Sequence, residues 1–129
     1  MLTDELSILA LYGLVVAITL VLQATGALLQ LDMGYLLSSR DEGRTVTGMA
    51  ARTERALSNS VTAMALFAPA ILILAVKDGF TAGTLTAAQV FLAARVVYLP
   101  SYVFKINGIR SLAWSAGFFA TIALYAFAL

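Results

Sequence analysis

Cysteine and histidine are both missing from this chain of 129 residues. The first absence excludes disulfides, a protein thiol nucleophile and thiolate metal sites, and leaves the compartment open. Without either residue a zinc site is not expected, and acid–base chemistry falls to tyrosine, arginine, lysine or carboxylates. Charge is scarce as well. Asp, Glu, Lys and Arg make up 12% of the residues, against about 25% in an average soluble domain. The net charge of +1 leaves no nucleic-acid footprint.

What the chain has instead is apolar surface, at 61% of residues. A water-soluble chain of this length cannot hide that much in one core, so the surplus needs a bilayer. Four apolar segments, at about 6–31, 56–76, 85–104 and 109–129, each have the length a helix needs to cross roughly 30 Å of hydrocarbon. They lack the alternation of a membrane barrel, and in lipid only helices satisfy every backbone group within one segment. The first segment is not read as a cleaved signal peptide: Asp4 and Glu5 precede it, it is too long, and no clean cleavage pattern follows.

The stretch "SSRDEGRTVTG" within 32–55 reads as an exposed loop, and "KDGFTAGT" (77–84) and "KING" (105–108) as tight turns. The expected fold class is all-α integral membrane, one four-helix antiparallel domain over 1–129. Arg40, Arg44, Arg52, Arg55, Lys105 and Arg110 belong to the first and third connections, against Lys77 alone on the other side. The positive-inside rule therefore predicts a multi-pass protein with loops 32–55 and 105–108 cytoplasmic and both termini outside.

Two polar stripes share one spacing. Arg52, Arg55, Asn59 and Thr62 fall within an arc of about 80° on a helix, and Arg95, Tyr98, Tyr102 and Lys105 repeat it. One helix enters from the basic end and the other returns to it, so the stripes are predicted to face each other across a pocket of cations and hydroxyls. Plainer roles exist for most of these residues. Arg52 and Arg55 suit head-group anchors, Tyr98 and Tyr102 suit interfacial packing, and Asn59 suits interhelical bonding. Arg95 differs, because it lies about ten residues from either end of its span, where an unpartnered cation costs roughly 2.5 kcal/mol or more. Its structural alternative is a pairing with Glu54 or a carbonyl. Pro100 is expected to free the carbonyl of Val96. In the last segment Arg110, Ser111 and Trp114 reach the basic end, and Ala113/Gly117 and Ala116/Ala120 give two small-residue registers that suggest self-association.

At these residues the sequence resembles the MAPEG family, the membrane-associated proteins of eicosanoid and glutathione metabolism, as a divergent member. The signature Arg-Ala-x-x-Asn-x-x-Glu is filled by Arg55, Ala56 and Asn59, with Thr62 in the last place. A second, Ala-Arg-x-x-(Tyr/His)-x-x-x-Tyr, is matched by Ala94, Arg95, Tyr98 and Tyr102, and the later Arg-Ser by Arg110 and Ser111. The resemblance covers nearly the whole chain. It implies a homotrimer with glutathione as cosubstrate, bound between subunits near the cytoplasmic face.

In such enzymes Arg55, Asn59, Arg95, Tyr98 and Tyr102 would hold the tripeptide, and Arg110 with Ser111 would stabilise its thiolate. The stripes add Arg52 and Thr62 to that binding set. The partners implied are the other two copies of the chain in the homotrimer, membrane lipids and a lipophilic electrophile or hydroperoxide. Two positions depart from the pattern. Thr62 replaces a carboxylate, and Gln30, Asp32 and Tyr35 stand where the family often has an arginine. The alternative function is a non-enzymatic membrane protein that binds lipid or scaffolds a partner. A four-span transporter is disfavoured, since every Asp and Glu is expected in a terminus or loop rather than inside the membrane.

Overall fold

A computed structural model describes residues 2–129. It is all-helical: α1 (Glu5–Gln30), a short α2 (Met33–Leu37), α3 (Gly48–Val76), α4 (Ala82–Val103) and α5 (Asn107–Ala128). All but α2 are long and apolar enough to cross a membrane. Many large side chains on their outer faces, among them Leu14, Ile18, Leu22, Leu72 and Phe119, are at least half exposed. Lipid, not a larger core, is what covers them.

The helix starts follow local chemistry. Asp4 caps α1 by accepting from the backbone N–H of Leu6 and Ser7. Asp32 caps α2 through the N–H of Tyr35 at 2.6 Å, and that bond, with the Arg44 guanidinium, holds its carboxyl below the ordinary value of 3.8. In α4, Thr81 and Thr84 cap each other reciprocally. The chain turns into α3 at Gly48, whose φ of +63° suits a residue without Cβ.

Three sequence expectations need correction here. The second span begins at Gly48 and not near 56, so Arg52, Glu54 and Arg55 stand on α3 and not in a loop. Polar residues on the exposed turns that precede the hydrocarbon do not oppose helix formation, and the exposed loop is correspondingly shorter, with α2 inserted in it. Glu5, expected in a terminus, lies in the first turn of α1 and is buried, accepting from Thr84 Oγ1 at 2.6 Å. The small-residue registers are spent mainly inside the chain. Ala113, Gly117 and Ala120 are buried where α5 packs on α4, and only Ala116 faces outward. Pro100 sits inside α4, which continues to Val103.

The core lies toward the end opposite the basic residues. Phe67 and Phe91 stack with centroids 3.8 Å apart, and Tyr12 meets Phe91 edge-on at 4.9 Å. Ile8, Ile71, Leu74 and Leu124 complete this layer. Tyr12 is fully buried, so its hydroxyl needs a partner. It donates to the Ser60 carbonyl at 2.8 Å and ties α1 to α3. Phe91 is one turn before Arg95, so this aromatic layer forms the floor of the polar site.

Toward the basic end α1 and α4 diverge. A groove of about 700 Å³ opens between them, lined by α1, α3 and α4 side chains such as Leu22, Leu29, Met49, Val96 and Val103. Gln30 closes its mouth by a paired bond with Thr47, donating to its carbonyl at 2.9 Å and accepting from its N–H at 2.8 Å. The loop beyond is strapped to Tyr35: the Arg44 guanidinium lies 4.1 Å over the ring, and the Arg44 N–H donates to the hydroxyl at 2.7 Å.

Candidate functional site

The site is built where α3, α4 and α5 meet above the aromatic floor. Arg95, on α4, is 2% exposed. It donates from Nη2 to Ser60 Oγ at 3.1 Å, and its guanidinium lies 4.1 Å over the Tyr98 ring. Its room comes from α5: a Cβ at Gly117 would meet Arg95 Cδ at 3.4 Å. Arg95 Nε and Asn59 Oδ1 are buried without a hydrogen-bond partner. Each such group costs about 1–3 kcal/mol unless something outside the chain satisfies it.

Both residues line one cavity of about 160 Å³, together with Thr62, Trp114, Gly117 and Phe118. The Thr62 hydroxyl donates to the Ser58 carbonyl of its own helix at 3.1 Å. No carboxylate pairs with Arg95 among the described residues, where the ion pairs are those of Arg44 with Asp32 and with Glu42. Glu54, an alternative partner by sequence, is not one of them. A donor and an acceptor, left open beside a buried cation, define what this cavity wants. It suits a ligand carrying both an anionic acceptor and an N–H donor.

A second cavity, about 180 Å³, is lined by Tyr98, Arg110, Ser111, Trp114 and Ser115. Trp114 belongs to both. Tyr102 joins the remaining cations: Arg55 Nε donates to its hydroxyl at 3.1 Å, and the Arg110 guanidinium sits 4.9 Å from its ring centre. Tyr98 and Tyr102 are 5.7 Å apart, so Arg55, Tyr102, Arg110, Tyr98 and Arg95 form one continuous chain of guanidinium and phenol groups.

Of the nine sequence-predicted site residues, Arg55, Asn59, Thr62, Arg95, Tyr98, Tyr102, Arg110 and Ser111 are therefore brought to this face. Arg52 is not. Its Nε donates to the Val103 carbonyl at the end of α4 at 2.7 Å, and it lines neither cavity. Sequence reasoning missed Ser60 and Tyr12. Ser60 occupies an unspecified place in the helical motif, and its bond to the Ala56 carbonyl at 2.7 Å is the ordinary one for a helical serine. A tyrosine two turns into an otherwise apolar first span was the available signal for Tyr12.

Four membrane-length helices around a cation and hydroxyl cluster define an integral, multi-pass membrane protein with a polar site inside the bundle's basic half. The family model for the MAPEG family matches residues 6–129, and the chain belongs to that family. No curated protein matches it.

Proposed function

We propose that this protein is a membrane-embedded, glutathione-dependent transferase or peroxidase that acts on a lipophilic electrophile or hydroperoxide. The observation that carries the reading is the open pair in the first cavity, Arg95 Nε and Asn59 Oδ1. Glutathione offers what that pair lacks, carboxylates and amide or ammonium N–H groups in one molecule. Arg55, Tyr98 and Tyr102 extend the same surface toward the basic end, where a second carboxylate is received.

Arg110 and Ser111 then stand beside the thiol. A free thiol has a pKa of about 8.5, and a neighbouring guanidinium out of water favours the thiolate. The proton leaves to solvent, and the thiolate attacks a substrate that enters from lipid. In this reading the chain works as a homotrimer, so that a neighbouring copy closes the exposed side of the cavities. The loop that ends at α3 and residues 105–108 face the cytoplasm, with both termini outside.

Calorimetric titration of glutathione into the detergent-purified protein tests this, with native mass spectrometry of the same sample. Saturable binding at one site per chain on a trimer is expected. Absence of heat, or a dominant monomer or dimer, overturns the corresponding part.

A second reading has its own observation. Thr62 stands where the resemblance puts a carboxylate, and none of Gln30, Asp32 and Tyr35 supplies the arginine it implies at the end of α1; Gln30 is committed to Thr47 and Asp32 to Arg44. That favours a non-enzymatic protein that binds lipid or scaffolds a partner, for which Arg110→Ala leaves no activity to lose.

A further inference from the structure

The cations account for a peptide ligand, and they leave the aromatic wall beside them unused. Trp114 and Phe118 stack with ring centres 5.2 Å apart and planes within 5° of parallel. Both remain more than a third exposed, at 41% and 37%. They follow Arg110 on α5 at four-residue intervals, so the three share one face, each about 6 Å further into the bundle. Trp114 lines the cavity that holds Arg110 and Ser111 and also the one that holds Arg95 and Asn59.

We infer that Trp114, backed by Phe118, is the specificity-determining ledge for the second substrate, and that it selects a planar aromatic electrophile. The inference rests on the glutathione reading and names the substrate class for the same site. A flat pair of rings offers a stacking face that aliphatic side chains would not, and offset-stacked aromatics gain stabilisation beyond the area they bury. The position is the second argument. The ledge begins one turn from the guanidinium that faces the thiolate, so a ring stacked on the indole has its edge carbons near the sulfur. The larger groove between α1 and α4 meets neither condition. Its walls are aliphatic except for Phe104 at one end, which has no second ring beside it among the lining residues, and its threonines bond their own helices: Thr19 donates to the Val15 carbonyl, Thr25 to that of Val21 and Thr53 to that of Met49.

With 1-chloro-2,4-dinitrobenzene as the electrophile, the thiolate sulfur first adds to the ring carbon that bears chlorine, its charge passing into the nitro groups, and the carbon–chlorine bond then breaks. Chloride leaves with the bonding pair, and the thiol proton has gone to water. 1-Iodohexane is substituted in one concerted displacement, the sulfur–carbon bond forming as iodide leaves with its bonding pair, and it has no ring to stack.

The test compares two product-like ligands, S-(2,4-dinitrophenyl)glutathione and S-hexylglutathione, by calorimetry on the parent, Trp114→Leu and Trp114→Phe. Their affinity ratio cancels any change in how the peptide part binds. The aryl ligand is expected to bind about three- to tenfold more tightly than the hexyl ligand in the parent. Trp114→Leu should bring the ratio close to one, and Trp114→Phe should keep part of it. The matching change in KM should appear for 1-chloro-2,4-dinitrobenzene and not for 1-iodohexane. Trp114 is the sole tryptophan of the chain, so quenching of intrinsic fluorescence by the aryl ligand locates it.

An equal ratio in the parent, or a parental ratio retained in Trp114→Leu, overturns the ledge while leaving the glutathione reading intact. Conjugates that bind with the expected ratio while glutathione alone does not would overturn glutathione as the cosubstrate and keep the ledge. No binding of glutathione or of either conjugate overturns both.

Discussion

Arg95 rests its guanidinium 4.1 Å over the ring of Tyr98. That face and the hydroxyl of Ser60 are the partners the described residues give it. A cation–π contact of this kind contributes about 2 kcal/mol when desolvated, less than the cost of holding an unpaired cation at this depth. The balance makes Arg95 the group most sensitive to what enters the cavity.

Thr62→Glu is therefore expected to strengthen glutathione binding roughly five- to a hundredfold, the equivalent of about 1–3 kcal/mol. Thr62 and Arg95 line the same cavity, so a carboxylate there supplies an acceptor for the ligand's ammonium or amide N–H beside Asn59 and offsets part of the buried charge, while Arg95 Nε stays open to the ligand's carboxylate. Calorimetry and melting temperature, measured together, decide it. Unchanged or weaker binding with a lowered melting temperature would mean that the new charge is itself unpaired, and would favour the lipid-binding scaffold.

Arg110→Ala removes the guanidinium from the cavity it shares with Tyr98, Ser111 and Trp114. Bound glutathione should then revert toward the thiol of free solution, with only a few per cent thiolate at neutral pH. The ultraviolet absorbance of the thiolate reports this directly. Because the role is electrostatic, the oligomeric state should stay as in the parent. An undiminished thiolate signal would remove Arg110 from the mechanism.

The aromatic floor makes a stability prediction that is independent of any ligand. Phe91→Ala opens a hole between Tyr12 and Phe67 and should cost about 3–5 kcal/mol. Tyr12→Phe loses one buried hydrogen bond to the Ser60 carbonyl and should cost about 1 kcal/mol. Thermal or denaturant unfolding in detergent orders the two. Equal losses would show that the hydroxyl matters as much as the packing.

Orientation is tested with Glu42→Cys, since the chain has no other thiol. Glu42 is well exposed in the loop before α3. An impermeant maleimide added outside intact cells should leave it unlabelled until the membrane is opened. Labelling from outside would reverse the proposed sidedness.

The four spans were legible because a run of about 20 apolar residues has one good solution in lipid, a helix. The stripes were legible for a related reason: polar residues that recur at helical spacing inside such a run must face something other than lipid. Other features were hidden for physical reasons. The start of α3 at Gly48 was masked by Arg52, Glu54 and Arg55, whose charges resemble a loop although the helix projects beyond the hydrocarbon there. Arg52 shares the stripe's arc, yet its guanidinium is spent on the carbonyl of Val103 at the end of α4. Helical spacing gives direction and says nothing of which neighbour a long side chain reaches. The small residues of α5 could not announce whether they serve α4 or another copy, because both need the same close approach.

The pairing of a tight end with a splayed end makes this bundle a pair of tongs. Glu5 with Thr84 and the stack of Tyr12, Phe91 and Phe67 are the pivot, and the parting of α1 from α4 is the open jaw. Gln30, doubly bonded to Thr47, rivets the tip of α1 to the start of α3 and so fixes one arm of the jaw.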